Sequence, residues 1–231
     1  MVIKSVAKKA LIACIFVYLL CPLAFAKDNF SGPYLGAHFG GAQLNNTIID
    51  SHGYSNHPKG YEFNYDDSNL IGGFVGGYNW RFNNWVTGLE ADFNFGQIDA
   101  SSDKFDELEF DEIVKSTHNW SSTLRGRVGY VFDNVFPYIT GGLAVANITN
   151  KLTDYDVGSV DPSDSYSSTE NQIGWVVGAG AEMEISESWG LRLEGLHMNY
   201  GRVDNSTGAN TASFGQRNKM NTVRVGLIYF F

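Results

Sequence analysis

Met220-Asn221-Thr222-Val223-Arg224-Val225-Gly226-Leu227-Ile228-Tyr229-Phe230-Phe231 closes the chain. Alternate residues of a strand face opposite sides, so Val223, Val225, Leu227, Tyr229 and Phe231 share one side while Thr222, Arg224 and Gly226 share the other. One side is apolar and the other carries a charge. A strand of a soluble sandwich rarely ends a polypeptide on an uncovered aromatic residue. A strand whose apolar side meets lipid does so routinely, and this stretch predicts the last strand of a closed membrane barrel.

The opposite end fits export. Met1 to Ala26 holds three lysines (Lys4, Lys8, Lys9), an apolar run from Ala10 to Phe25 interrupted by Pro22, and the small-x-small ending Ala24-Phe25-Ala26. That order predicts a secretory signal over 1–26, cleaved after Ala26, with the barrel domain occupying 27–231. Leu20 before Cys21 argues against lipid attachment. Cleavage would remove Cys14 and Cys21, the two cysteines of the sequence, which excludes disulfides and thiol catalysis in the exported chain. It would also remove cations from a chain whose formal net charge is already −9, and that sign disfavours a nucleic-acid partner. After Ala26 no apolar run approaches the roughly 20 residues of a membrane helix. Any membrane crossing is therefore made by strands.

Period-two alternation recurs in segments of about ten residues, as expected of membrane strands. They are Pro33–Leu44, Leu70–Phe82, Trp85–Gly96, Trp120–Phe132, Phe136–Asn147, Ile173–Ile185, Trp189–Gly201 and the terminal stretch. The third places Trp85, Leu89, Ala91, Phe93 and Phe95 opposite Gly88, Glu90, Asp92 and Asn94. The fourth places Leu124 and Val128 opposite Arg125 and Arg127. Short turns at Asn83-Asn84, Asp133 to Val135 and Ser186 to Ser188 alternate with longer connections at 45–69, 97–119, 148–172 and 202–219. The expected fold is all-β: an eight-stranded, antiparallel, up-and-down transmembrane barrel with its short turns and both termini periplasmic. Aromatic residues beside the short turns (Trp80, Phe82, Trp85, Tyr130, Phe132, Phe136, Trp189, Tyr229, Phe231) predict an interfacial belt on that rim.

Ser31-Gly32-Pro33-Tyr34-Leu35-Gly36, Arg125 to Tyr130, Phe136 to Ala144, Gly174 to Glu182 and the ending Val223 to Phe231 resemble the small outer-membrane β-barrel family. That family includes surface antigens and haemin-binding proteins of alphaproteobacteria, and opacity-type and OmpA-type barrels. The resemblance implies an outer-membrane location in a Gram-negative bacterium. It also implies that Gly226, Tyr229 and Phe231 form a terminal signal read by the barrel-assembly machinery. Lipid and lipopolysaccharide are then the expected surroundings, with host surface molecules or haemin as candidate partners of the long connections.

Inward positions bring Glu90, Asp92, Glu182, Glu184 and Glu194 against Arg125, Arg127, Arg192 and Arg224. Eight strands enclose little more than side-chain volume, so these charges are expected to pair across the lumen and plug it. A narrow pore for small solutes is the alternative. His118 near Ser116, Ser121 and Ser122 has the residue types of a nucleophile and base, but no Gly-x-Ser-x-Gly elbow is present and no catalytic residue is expected. His52 and His57, with Tyr54, Tyr61 and Tyr65 in the same connection, are residue types that ligate haem iron. Exposed polar loop residues are the simpler reading of them, and no cofactor or metal is expected. Asp103, Asp106, Glu107, Glu109, Asp111 and Glu112 lack the spacing of a calcium loop. The expected function is that of a non-enzymatic, structural, surface-exposed barrel in the role of surface antigen or adhesin, with haemin binding or solute passage as alternatives.

Overall fold

In the computed structural model, residues 30–50, 59–101, 112–156, 159–206 and 213–231 are described. They form eight strands: β1 (Gly32–Asp50), β2 (Tyr61–Phe82), β3 (Trp85–Ser101), β4 (Glu112–Tyr130), β5 (Val135–Asp156), β6 (Ser159–Ser186), β7 (Trp189–Ser206) and β8 (Ser213–Phe230). Each pairs antiparallel with its sequence neighbour, and β1 pairs with β8 (Leu35 opposite Tyr229, Gly40 opposite Arg224), which closes the barrel. Closure leaves no unpaired sheet edge in the apolar zone.

Leu35, Phe39, Leu70, Phe74, Leu89, Leu124, Ile139, Leu143, Val177, Leu193, Val223 and Val225 stand exposed on the outer wall. Alternate residues such as Ile71, Val75, Glu90, Arg125, Val176 and Arg192 point inward and are buried, as period two requires. The short rim carries outer aromatic pairs, with Trp85 against Tyr130 at 5.4 Å between ring centroids and Trp189 against Tyr229 at 5.0 Å. Phe136, expected in this belt, is fully buried in the lumen instead. It shares inward parity on β5 with Tyr138 and Thr140, and closeness to a turn does not override parity.

The short turns form where expected. Asn83 and Asp133 take left-handed backbone conformations, with φ of 58° and 52°, which short polar side chains tolerate. The long connections differ from expectation, because most of 45–69, 97–119, 148–172 and 202–219 continues the strands as two four-stranded ribbons, β2-β1-β8-β7 and β3-β4-β5-β6, which part where β2 leaves β3 and β6 leaves β7. β1 and β2 stay paired out to Asp50 opposite Tyr61, and β5 and β6 to Asp156 opposite Ser159. Hydrophobic alternation ends where the outer face leaves lipid, but the backbone ladder needs no apolar face to continue. Bulges add to the effect. In β4 the extra residue Asn119 lies between His118 and Trp120, so inward positions are even-numbered before it (Ser116, His118) and odd-numbered after it (Ser121, Thr123, Arg125). β7 carries a comparable irregularity between Asn199 and Arg202, where Gly201 has a φ of 80°.

Candidate functional site

The lumen is filled by side chains in layers. Nearest the short turns lies an apolar layer of Phe30, Tyr34, Val75, Val86, Val131, Phe136, Tyr138, Ile228 and Phe230. Phe30 precedes β1, turns inward with a φ of 61°, and meets Phe136 at 5.4 Å and Phe230 at 5.7 Å between ring centroids. Farther from the turns lies a second apolar layer that includes Leu44, Ile71, Ile98, Ile148, Val176, Leu196, Met198, Tyr200 and Met220. Between the two sits the charged layer.

Four guanidiniums meet four carboxylates there, all with side chains 0–2% exposed. Arg125 donates from Nη1 to Glu194 Oε1 at 2.9 Å and from Nη2 to Asp92 Oδ2 at 2.9 Å and to Glu90 Oε1. Arg224 donates from Nε to Glu194 Oε2 at 2.8 Å and from Nη2 to Asp92 Oδ2 at 2.7 Å. Arg127 donates from Nε to Asn79 Oδ1 at 3.0 Å and from Nη1 to Glu182 Oε1. Arg192 donates from Nε to Glu182 Oε1 at 2.9 Å. Its terminal nitrogens approach Glu90 and Glu182 at 2.7 Å as ion pairs without the alignment of hydrogen bonds. The charges balance, and no guanidinium in the layer lacks an anion. A buried ion is tolerated only on those terms.

Of the nine residues expected in this network, Glu184 stands apart. It lies opposite Gly190 near the Ser186 turn, half-buried, and its Oε2 has no hydrogen-bond partner. Its inward parity matches that of Glu182, but it sits nearer the rim, beyond the reach of the arginines.

Neutral members of the network were not legible in the sequence. Tyr34 donates its hydroxyl to Glu90 Oε2 at 2.6 Å, and Tyr138 donates to Glu194 Oε1 at 2.8 Å. The Arg127 guanidinium lies 4.4 Å from the Tyr34 ring centroid, a cation–π contact. Asn94 donates to Asp92 Oδ1 at 2.9 Å and accepts from Arg224 Nη1 at 3.0 Å, while His38 Nε2 lies 2.7 Å from Asn94 Oδ1. Inward parity was the available signal for these residues, but it does not distinguish a phenol in a polar network from one in a core.

An inward glycine makes room for each phenol. A Cβ added at Gly180 would lie 2.7 Å from Tyr138 Oη and 2.8 Å from the Leu193 carbonyl oxygen. Gly180→Val is therefore expected to displace Tyr138 from Glu194 and lower the urea midpoint of the folded barrel by an amount equivalent to roughly 1–3 kcal/mol. Ala179→Val, one residue away on the exposed outer face, is expected to change little.

His52 and His57 lie outside the described residues, as do Tyr54 and the acidic run from Asp103 to Asp111. His118 points into the lumen and neither ring nitrogen has a hydrogen-bond partner. Ser116 Oγ donates to Asn150 Oδ1 at 3.0 Å and Ser122 Oγ to the Asp92 carbonyl at 2.6 Å, so neither serine is paired with the imidazole. His197 faces outward, 2.7 Å from Asn221 Oδ1. Gly226 faces inward, and Tyr229 and Phe231 face outward at the end of β8.

A closed antiparallel wall of eight strands, greasy outside and ion-paired within, defines a transmembrane β-barrel. The chain belongs to the outer membrane protein beta-barrel domain family, whose model matches residues 12–231. It is 31% identical over 222 residues to the 31 kDa outer-membrane immunogenic protein of Brucella melitensis biotype 1, covering 91% of this chain and 88% of that one. It is 29% identical over 198 residues to the 22 kDa outer membrane protein of Rhizobium leguminosarum bv. viciae, covering 85% and 78%. The crystal structure of the outer membrane protein OprG from Pseudomonas aeruginosa superposes with a TM-score of 0.51 at 13% identity, covering 89% of this chain and 99% of that one. At that identity the likeness is one of fold. The protein is an outer-membrane β-barrel related to immunogenic surface proteins.

Proposed function

We propose that this barrel is a non-enzymatic, non-conducting structural protein of the outer membrane that carries β-ribbons on the cell exterior. The observation that supports this most is the sealed lumen, in which a neutral, fully paired charged layer lies between two apolar layers. Water and ions crossing it would have to break pairs held in a low-dielectric interior, where each exposed partner costs several kcal/mol. In this reading both termini and the short turns face the periplasm, and lipid, lipopolysaccharide and the assembly machinery are the standing partners. The immunogenic relatives support exposure of the ribbons to a host, in the role of surface antigen or adhesin.

Folded, heat-shifting protein is expected to give no steady single-channel conductance in planar bilayers. Steady openings from that material would replace this reading with a pore. Protease treatment of intact cells is expected to cut only within the ribbon side of the barrel, and cleavage confined to the short turns would reverse the assigned orientation.

A further inference from the structure

We propose that the outer face of β7, β8 and β1, just beyond the lipid-facing belt on the ribbon side, binds a phosphate group of an outer-leaflet glycolipid through Lys219, Arg217 and Asn45. The inference rests on the reading that the ribbons stand outside the cell. On β8 the exposed apolar face runs through Phe231, Tyr229, Leu227 and Val225 and ends at Val223. Asn221 follows, and Lys219 and Arg217 then share that face, while Met220 and Asn218 are buried in the lumen. Lys219 lies roughly 14 Å along the strand from Val223, which a tilt of roughly 40° reduces to about 10 Å of height. That is the zone where hydrocarbon gives way to head groups.

Cross-strand register sets hydrogen-bond donors side by side there. Lys219 lies opposite Asn45 on β1 and Asn199 on β7, and Arg217 lies opposite Thr47 on β1 and Arg202 on β7. Asn45 Nδ2 has no hydrogen-bond partner. Asn199 Oδ1 accepts from the Gly201 amide at 2.9 Å, so the group that Asn199 has left is a donor. Among the described residues Lys219 has no ion-pair partner. Arg217 Nη1 meets Glu62 Oε1 at 3.3 Å, but both side chains are about half exposed, and such a pair is worth little. Asp66 bounds the row on β2, where Gln43 Nε2 donates to it at 3.3 Å. Two guanidiniums placed directly opposite repel each other, and an anion between them reverses the sign. Residues 32–49 and 213–231 contain no Asp or Glu, in a chain that carries 25 of them and a formal net charge of −9. The β1–β8 seam therefore supplies cations and amide donors without an anion of its own. The wall beneath selects a lipid over a free anion, because Val223, Val225 and Phe39 stand exposed there to pack against acyl chains.

The test uses full-length exported protein refolded in detergent micelles, with binding read by native mass spectrometry. The probes are bisphosphorylated lipid A, the same lipid stripped of phosphate, and inorganic phosphate as competitor. Wild type is expected to prefer the phosphorylated lipid by roughly tenfold or more, as charge-assisted hydrogen bonds allow, and to keep it in millimolar inorganic phosphate. The double variant R217Q/K219Q should keep heat-modifiable migration, lose that preference and bind the stripped lipid as before. Lys151→Gln, an exposed cation on β5 across the barrel, is expected to match wild type. The proposal is overturned if wild type binds both lipids equally or if the folded double variant keeps the preference. It is also overturned if inorganic phosphate displaces the lipid, which would make this a simple anion site. Binding in micelles does not depend on which side of the membrane the ribbons face, so its failure counts against this site, and protease treatment of intact cells tests the orientation separately.

Discussion

Arg125→Met is expected to lower the stability of the folded barrel by roughly 3–5 kcal/mol, the cost of removing one partner from a buried ion-pair network. The Arg125 guanidinium reaches Glu90, Asp92 and Glu194, which project from two strands other than its own. Without it the layer carries four carboxylates and three guanidiniums, and none of the carboxylates can reach water without breaching an apolar layer. The measurement is the urea midpoint for the loss of the heat-shifted gel band in micelles. Arg125→Lys keeps the charge but cannot fork to three carboxylates, so its midpoint is expected between those of wild type and methionine. Adding Glu194→Gln to Arg125→Met restores neutrality and should recover part of the loss. A methionine variant as stable as wild type would mean that the charged layer does not hold this barrel together.

The neighbouring residue predicts the opposite consequence for the same side chain. Leu124 is 58% exposed on the outer wall, opposite Ala91 on β3 and Leu143 on β5, well inside the apolar belt. Leu124→Arg is expected to cost roughly 2–4 kcal/mol in a bilayer, because a cation near the midplane of the lipid face is unsolvated. Phe132→Arg, at the short rim, should cost no more than about 1 kcal/mol, since there the head groups and water are within reach. Refolding into vesicles at graded urea measures both. Equal effects at the two positions would mean that Leu124 does not lie deeper in the bilayer than Phe132, and the outer wall would then have no lipid-buried belt at that height.

Strand faces were readable because a lipid-facing wall imposes period two on the chain wherever it acts. Leu89 with Glu90, and Leu124 with Arg125, declare their sides by chemistry alone. The reading stopped where that pressure stopped. Beyond Gly96, Asn119 and Gly201 the outer face meets water, and bulges shift the parity, so ribbon residues such as Thr149, Thr169 and Asn171 looked like loops. In the structure they pair across strands, with Asn147 Nδ2 donating to Asn171 Oδ1 at 2.8 Å and the two threonine hydroxyls 2.9 Å apart. Within the lumen, charge identified eight network members, while the roles of Tyr34, Tyr138, His38 and Asn94 depended on which height they share, a quantity set by strand stagger. Glu184 was misassigned for the same reason. Phe136 was misassigned because nearness to a turn was given more weight than parity.

The length of the strands bears on what another molecule meets at the cell surface. A membrane crossing needs roughly 9–11 residues, and β6 runs for 28. More than half of that strand therefore belongs to masonry standing clear of the bilayer, braced by the same register that closes the barrel. An antibody raised against such a stalk reads two adjacent backbones at once, so its footprint should vanish when the protein is boiled and should not be reproduced by any single linear peptide.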